Sequence, residues 1–233
     1  MNEYIDLLAY FGIGSAHPGG ASLTRSIFEK VSINQDDLVL DIGCGTGQTA
    51  QYLAKQFKCS VTAIDHHPLM VEKAKRRFAK ENLPVQVIIG NAEKLDIESQ
   101  TFNFILSESV ISFTHAKETI KELARVLKEK GQLLLIEMAA EASIPKSMKE
   151  EVQRLYGVHD IYTGEEWRSI LEEAGFATIE EIQTHSSLIS SELNEMDLSE
   201  SIPMSLYDVW EEHNEMTEKV HGHIGYIVYL ASK

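Results

Sequence analysis

Hydrophobic and polar residues alternate along the chain in blocks that predict strands and helices in turn. Short apolar runs predict seven strands, at 38–42, 60–65, 85–90, 102–108, 132–138, 177–184 and 223–233. Between them, apolar residues at helical spacing predict helices over 47–57, 68–82, 115–130, 163–176 and 203–220, with a less regular helical stretch in 141–161. The strands are too apolar to have one wet face, which favours a parallel sheet covered by helices on both sides.

Several residues mark the ends of these helices. Pro68 stands at a first-turn position, where its missing N–H costs nothing. Thr163 and Glu166 have the spacing of a capping box and predict a helix start. We expect Gly131 to end the helix of 115–130, and Gly175 to end the helix that Thr163 opens.

Two segments outside the regular alternation suggest additions to one domain that spans residues 1–233. Residues 1–37 precede the sheet and hold a glycine-rich loop between two apolar helical stretches, so we expect a helical lid there. Residues 185–222 are too many for an ordinary connection and predict a helical insertion that caps a substrate. The sheet core would then comprise residues 38–184 and 223–233.

Charge and composition narrow the classes of partner. The chain has 233 residues, enough for one sizeable α/β domain, and a formal net charge of −15, which argues against a nucleic-acid partner. Its one basic cluster, KAKRR at 73–77, is expected to lie on the solvated face of a helix. We find no basic secretory leader and no apolar run near the ~20 residues that span a membrane. With Cys44 and Cys59 as the only cysteines, we expect a cytoplasmic protein without a disulfide framework.

The segment VLDIGCGTG at 39–47 carries the strongest chemical signal. An apolar strand runs into Gly43, Gly45 and Gly47, which leave backbone open to a ligand at the start of a helix. Asp41 lies two residues before the first glycine, where a cationic group of the ligand would rest. The G-x-G-x-G spacing differs from the G-x-G-x-x-G of dinucleotide sites, so it argues against a nicotinamide-dependent dehydrogenase.

Further segments follow VLDIGCGTG in a register typical of one family. VTAID ends in Asp65, DHHPLMVEKAKRRF follows, and GNAEKLDIESQTFNFILSE and LKEKGQLLLIEM come later. Over residues 20–184 and the last strand, the chain resembles the class I S-adenosylmethionine-dependent methyltransferases. The resemblance implies a Rossmann-like α/β fold, with a doubly wound, mostly parallel seven-stranded sheet whose last strand is antiparallel. It also implies an enzyme that takes a methyl group from S-adenosyl-L-methionine, leaving S-adenosyl-L-homocysteine.

The resemblance assigns the donor-binding residues. Asp41 would meet the amino group of the methionine part, although its side chain could instead cap the glycine turn. Asp65 would accept from both ribose hydroxyls, and Met70 would pack on adenine unless it only fills the core. Asn91 stands where the family often has aspartate, and the Ala92 N–H would meet a ring nitrogen. The full predicted set is Asp41, Gly43, Gly45, Gly47, Asp65, His66, Met70, Asn91, Ala92 and Ser107.

Catalytic candidates are fewer, because in-line methyl transfer needs alignment more than a particular side chain. His17 lies in the S-x-HPGG loop, which resembles a loop in a subset of bacterial methyltransferases, and could handle a proton or simply form a turn. Glu108 ends the fourth strand and His115 begins the next helix, where either could orient or deprotonate a substrate. We expect a small-molecule acceptor with an O, N or C nucleophile, and no metal. A cofactor-binding sensor or partner protein without transferase activity stays open as the alternative.

Overall fold

The computed structural model describes residues 2–185 and 195–233, and within these ranges the chain forms seven strands, eight α-helices and one short 3-10 helix. The strands are β1 Leu38–Ile42, β2 Ser60–Asp65, β3 Gln86–Ile89, β4 Phe102–Glu108, β5 Leu127–Ala140, β6 Thr178–His185 and β7 Ile224–Ser232. The helices are α1 Glu3–Phe11, α2 Gly20–Phe28, α3 Gln48–Gln56, α4 Pro68–Lys80, α5 Ala116–Val126, α6 Lys146–Tyr156, α7 Gly164–Glu173 and α8 Ser205–Lys219, with the 3-10 helix at Ile111–Phe113. Part of the expected insertion at 185–222, residues 186–194, lies outside the described residues.

The seven strands form one sheet in the order β3-β2-β1-β4-β5-β7-β6, in which β7 runs antiparallel to β5 and to β6. This confirms the expected fold, including the antiparallel last strand. β1 pairs in parallel with β2 on one side and with β4 on the other, so the winding of the chain reverses there. In such sheets the carboxyl ends of the strands at the reversal leave a crevice where ligands bind.

Alternate residues of each central strand enter two separate cores, one on each face of the sheet. Leu40 of β1 packs with Trp167 of α7 on one face, whereas its neighbour Val39 packs with Leu53 of α3 on the other. All three of these aliphatic side chains are completely buried. The near-continuous apolar character of the strands follows from this double burial.

The helix expected over 115–130 is shorter than predicted, and Gly131 does not end it. α5 ends at Val126, whose carbonyl accepts a hydrogen bond from Thr101 N at 2.8 Å. Leu127 then pairs with Phe102 of β4 and is completely buried. Burial of a leucine against the sheet outweighs the helical propensity of the polar residues that follow it.

A separate helical layer lies over the carboxyl ends of the strands. It consists of α1, α6 and α8, which bury Leu7, Val152, Leu206 and Met216 in two small apolar clusters. The capping box of Thr163 and Glu166 opens α7 as predicted. Within 2–185 and 195–233, none of the helices has the length and apolarity needed to cross a bilayer.

Residues 195–199, called the strap below, run beside the end of α1. Met196 forms an isolated antiparallel bridge with Ile13, and Ser199 N donates to Tyr10 O at 2.9 Å. Because the strap follows β6 and Tyr10 belongs to α1, these bonds join the two segments that flank the sheet core.

The basic cluster at 73–77 fastens the strap, which corrects the expectation of a solvated helix face. Lys73 is buried, with 2% of its surface exposed, and its Nζ donates to the carbonyls of Tyr10 and Asp197. Arg77 Nη1 lies 2.9 Å from Glu195 Oε1 in an ion pair. Lys75 is exposed, as predicted. A buried cation is stable here because carbonyl oxygens replace its hydration shell.

Candidate functional site

The glycine turn between β1 and α3 has the left-handed backbone that its sequence predicts. Gly43, Gly45 and Gly47 have φ values of +69°, +53° and +80°. Gly43 N and Cys44 N both donate to Ile64 O, at 2.7 and 2.9 Å, which ties the turn to β2. The turn is therefore fixed against the neighbouring strand before any ligand arrives.

The three glycines serve different purposes. A Cβ on Gly43 would lie 2.2 Å from Val110 Cγ2, and a Cβ on Gly47 would lie 2.5 Å from Phe78 Cζ, so both positions admit close packing within the protein. A Cβ on Gly45 would have no heavy atom within 4 Å. Gly45 thus leaves open space, and it lines the cavity described below.

Asp41 lies beneath this turn as a buried carboxyl group, with 3% of its surface exposed. Its Oδ2 has no hydrogen-bond partner among the described residues. Burial raises the pKa of Asp41 well above the ordinary aspartate value, and the nearby carboxyl groups of Glu108 and Asp65 raise it further. A cationic ligand group beside Oδ2 would relieve both effects.

Asp65 ends β2 and holds two backbone N–H groups. Its Oδ2 accepts from Gly45 N and its Oδ1 accepts from His67 N, each at 2.8 Å. Each oxygen retains a lone pair for a further donor, such as a ligand hydroxyl. The neighbouring His66 side chain is exposed, with its Nδ1 3.7 Å from Asp65 Oδ1.

The remaining predicted donor-binding residues lie on the next two elements. Met70 of α4 and Ala92 after β3 are both buried, and both line the cavity. Asn91 also lines it, but its Oδ1 accepts from Glu93 N at 2.9 Å. The Asn91 amide oxygen therefore already holds the turn after β3.

One cavity of about 820 Å³ lies between the carboxyl ends of the strands and the helical layer. We call the part beside Gly45, Asp65, Met70 and Ala92 its strand end. The part lined by α1, the 3-10 helix, α6 and α8 is its helix end. The size exceeds that of a single nucleoside and falls within the range of ordinary ligand sites.

Two catalytic candidates, predicted separately, lie together in this cavity. His17 Nε2 is 3.3 Å from Glu108 Oε1, and both side chains are nearly buried. Thr49 Oγ1 donates to Glu108 Oε2 at 2.7 Å, and Thr24 Oγ1 donates to Oε1. His17 Nδ1 lies 3.1 Å from Pro18 O. Because both ring nitrogens have partners, the pair fastens the glycine-rich loop to the end of β4.

Three predicted site residues do not line the cavity. Ser107 is completely buried within β4, opposite Ile42 of β1. Gly47 packs under α4, as described above. His115 is exposed, and its ring lies 4.5 Å from the ring of His159.

The helix end is walled by aromatic rings that include a histidine the sequence interpretation did not single out. The ring of Tyr4 lies 4.7 Å from Tyr156, 5.4 Å from His213 and 6.5 Å from Phe113. Tyr156 Oη is 3.0 Å from His213 Nδ1, and burial lowers the pKa of this histidine. The sequence does contain a pattern that points to His213. This residue follows Leu206 and Val209 at the helical spacing of the buried face of α8.

Glu137 of β5 forms the floor between the two ends. It is completely buried and accepts from Val110 N at 2.9 Å, from Ile111 N at 2.7 Å and from Ser112 Oγ at 2.7 Å. Burial raises its pKa to about 7, against the lowering effect of these bonds. Glu137 therefore orients the 3-10 helix that carries Phe113 into the helix end.

Comparisons with known sequences agree with this geometry. Residues 39–131 match the family described as a methyltransferase domain. The uncharacterized methyltransferase YodH of Bacillus subtilis (strain 168) is 35% identical over 238 residues, which cover 100% of both chains. The malonyl-[acyl-carrier protein] O-methyltransferase of Paenibacillus sp. (strain JDR-2) is 30% identical over 173 residues, or 68% of this chain and 63% of its own.

Solved structures share the fold. Phosphoethanolamine N-methyltransferase 2 of Haemonchus contortus, in complex with phosphomonomethylethanolamine and S-adenosylhomocysteine, matches with a TM-score of 0.78 at 23% identity. That match covers 99% of this chain and 58% of the other. The [4+2]-cyclase SpnF matches with a TM-score of 0.75 at 21% identity, over 100% of this chain and 95% of its own. A fold shared with a cyclase leaves the reaction to be argued from the site.

Proposed function

Because the chain belongs to the class I S-adenosylmethionine-dependent methyltransferases, we propose that it methylates a small molecule held at the helix end of the cavity. The observation that carries this proposal is the continuity of the cavity, whose lining runs from Gly45 and Asp65 to Tyr4 and Tyr156. Methyl transfer is an in-line displacement, so donor and acceptor must share one enclosed space.

The strand end fits the donor. The unpartnered Oδ2 of Asp41 would receive the amino group of the methionine part, next to the open space at Gly45. Asp65 would accept from the ribose hydroxyls, and Met70 and Ala92 would contact the adenine ring. When bound, S-adenosyl-L-methionine supplies a methyl group on a positively charged sulfur. The chain orients this group toward the helix end and excludes water from it.

We assign His17 and Glu108 a positioning role rather than a proton-transfer role. Their hydrogen bonds hold the loop of residues 12–20 on the end of β4, where the loop helps to close the cavity. In this proposal residues 1–37 act as a lid over the donor, and α8 forms part of a cap over the acceptor. His115, which is exposed and outside the lining, takes no part.

A small acceptor suits both the charge and the dimensions of the chain. A net charge of −15 repels nucleic acids, and the cavity of about 820 Å³ has the size of an ordinary small-molecule site. The Haemonchus contortus structure that shares the fold holds a small molecule, phosphomonomethylethanolamine.

Two measurements test this function. Calorimetry should detect S-adenosylhomocysteine binding to the wild type. Incubation with methyl-labelled S-adenosylmethionine and a fractionated metabolite extract should then label at least one small-molecule fraction. The Asp65→Ala variant serves as the control for enzyme-dependent labelling. Binding of S-adenosylhomocysteine with no labelled fraction would contradict methyl transfer to a small molecule.

A further inference from the structure

The helix end of the cavity has the form of an aromatic box. Tyr4 packs edge-on against Tyr156 at an interplanar angle of 71°, and its ring lies almost parallel to that of Phe113, at 10°. The Asn2 side chain accepts from Tyr4 N at 2.8 Å and donates to Tyr156 O, which joins the backbones of these two residues. Faces of aromatic rings carry partial negative charge and attract cations.

Apart from histidines, the ionisable acidic and basic side chains that line the cavity within the described residues are all acidic. Within the described residues, the lining includes six carboxyl groups and neither lysine nor arginine. The six are Asp41, Asp65, Glu93, Glu108, Glu137 and Glu218. Residues 186–194, which the structure does not describe, also contain no lysine or arginine. A bound anion would therefore meet carboxyl groups, with no lysine or arginine of the described lining to balance its charge.

Two cations of α4 are already engaged by groups of the protein. Lys73 Nζ holds the carbonyls of Tyr10 and Asp197, and Arg77 pairs with Glu195. Among the histidines of the lining, His213 has a pKa that burial lowers, which disfavours its cationic form. Glu218, at the rim on α8, is exposed and has no ion-pair partner among the described residues.

From these observations we propose that the acceptor is an amine with an apolar body, and that the helix end rejects carboxylates and phosphates. This rests on the proposed function. The ammonium form would be drawn in past Glu218 and held against the rings of Tyr4 and Tyr156. The selectivity would differ from that of a site for phosphomonomethylethanolamine, the amine with a phosphate group that is bound in the Haemonchus contortus structure.

The reaction would balance with S-adenosyl-L-methionine bound at the strand end as the methyl donor and His213 as the proton acceptor. The amine gives one proton to His213 Nε2 while His213 Nδ1–H donates to Tyr156 Oη, 3.0 Å away. The freed nitrogen lone pair forms the new N–C bond as the C–S bond breaks, and the electrons of that bond stay on sulfur. His213 later returns its proton to water at the rim.

Three probes with one phenyl ring and different charge test the selectivity directly. Binding of phenethylamine, 2-phenylethanol and 3-phenylpropionate is measured by calorimetry on protein saturated with S-adenosylhomocysteine. We expect phenethylamine to bind at least tenfold more tightly than 3-phenylpropionate, with the alcohol between them. Equal or tighter binding of the carboxylate would overturn the proposal, and so would absence of amine binding up to about 10 mM.

A charge reversal at the rim provides a matched pair of variants. Glu218→Lys should weaken the binding of phenethylamine and strengthen that of 3-phenylpropionate. The ratio of their two dissociation constants should change by roughly tenfold, so the preference for the amine narrows or reverses. Glu215→Lys changes the net charge equally on the same helix, but Glu215 is exposed and outside the lining, so the ratio should stay within about twofold. Equal effects of both variants would overturn the assignment of selectivity to the cavity.

Failure of this proposal can be told from failure of the proposed function. If the proposed function were wrong, the protein would not bind S-adenosylhomocysteine or would label no fraction. If only the amine proposal were wrong, donor binding and labelling would be intact, and carboxylate or phosphate acceptors would be among the labelled products. His213→Asn adds a readout beyond binding, because it should lower kcat with phenethylamine-like acceptors about 100-fold and leave donor affinity unchanged.

Discussion

Replacement of Asp65 by alanine is the sharpest test of the donor site. In the free protein this carboxylate accepts from Gly45 N and His67 N, both at 2.8 Å. With the donor bound it would also accept from the ribose. Hydrogen bonds to charged groups contribute about 1.5–3 kcal/mol each, so loss of the ribose contacts should weaken S-adenosylhomocysteine binding by ~2–4 kcal/mol, or roughly 30- to 700-fold.

The same substitution should also lower stability, because two N–H groups lose their acceptor. We expect the free energy of unfolding to fall by about 2 kcal/mol, while the variant stays folded at 25 °C. Calorimetric titration with S-adenosylhomocysteine, together with urea denaturation, separates the two effects. Asp65→Asn keeps one oxygen acceptor and should show smaller losses in both.

Asp37→Ala is the matched control. Asp37 Oδ2 also accepts from a backbone N–H, that of Asn34 at 2.7 Å, but it lies before β1 and outside the cavity lining. This variant should lose a little stability and keep its affinity for S-adenosylhomocysteine. If folded Asp65→Ala protein bound the ligand as tightly as the wild type, the ribose assignment would be wrong.

Three further predictions concern the frame around the site. Gly47→Ala should destabilise the protein by ~2–4 kcal/mol in urea, because its Cβ would meet an aromatic ring of α4, whereas Gly45→Ala should cost only the backbone strain of ~1–2 kcal/mol. Lys73→Met should lower the free energy of unfolding by about 2 kcal/mol, and Lys75→Met by less than ~0.5 kcal/mol; equal effects would contradict the buried role of Lys73. Since the folded pKa of Glu137 is raised from 4.5 to about 7, wild-type stability should fall by roughly 3 kcal/mol as pH rises through this window. Stability of Glu137→Gln, measured over the same pH range, should lack this slope.

Local patterns were enough to predict the sheet and to place Gly45 and Asp65 at the ends of neighbouring strands. Val39 and Leu40 face opposite cores, so an unbroken apolar run correctly indicated a strand buried on both faces. The positions of Gly45 and Asp65 were predictable because the turn and the strand end beside it are each specified within a few residues. Both lie at the carboxyl edge of the sheet, where the winding of the chain reverses.

Contacts between distant segments were beyond the reach of sequence patterns. The pairing of His17 with Glu108 joins residues 91 positions apart, and that of Tyr156 with His213 joins residues 57 positions apart. Lysine is usually a surface residue, and the burial of Lys73 depends on the strap that covers it. The length of α5 was misjudged because the gain from burying Leu127 comes from the sheet and not from the helix.

The order of strands in the sheet has a consequence for how the chain is made. Among the described strands, β6 pairs only with β7, although β7 is synthesised after it. During synthesis β6 therefore has no partner strand until residues 186–223 and then β7 have been made, because β7 lies between β6 and β5 in the sheet. Glu180 and Glu181 are exposed on β6, and their charges would discourage a waiting strand from pairing with another unfinished chain. The charges on this edge strand of the finished sheet would thus also protect the partly synthesised chain from aggregation.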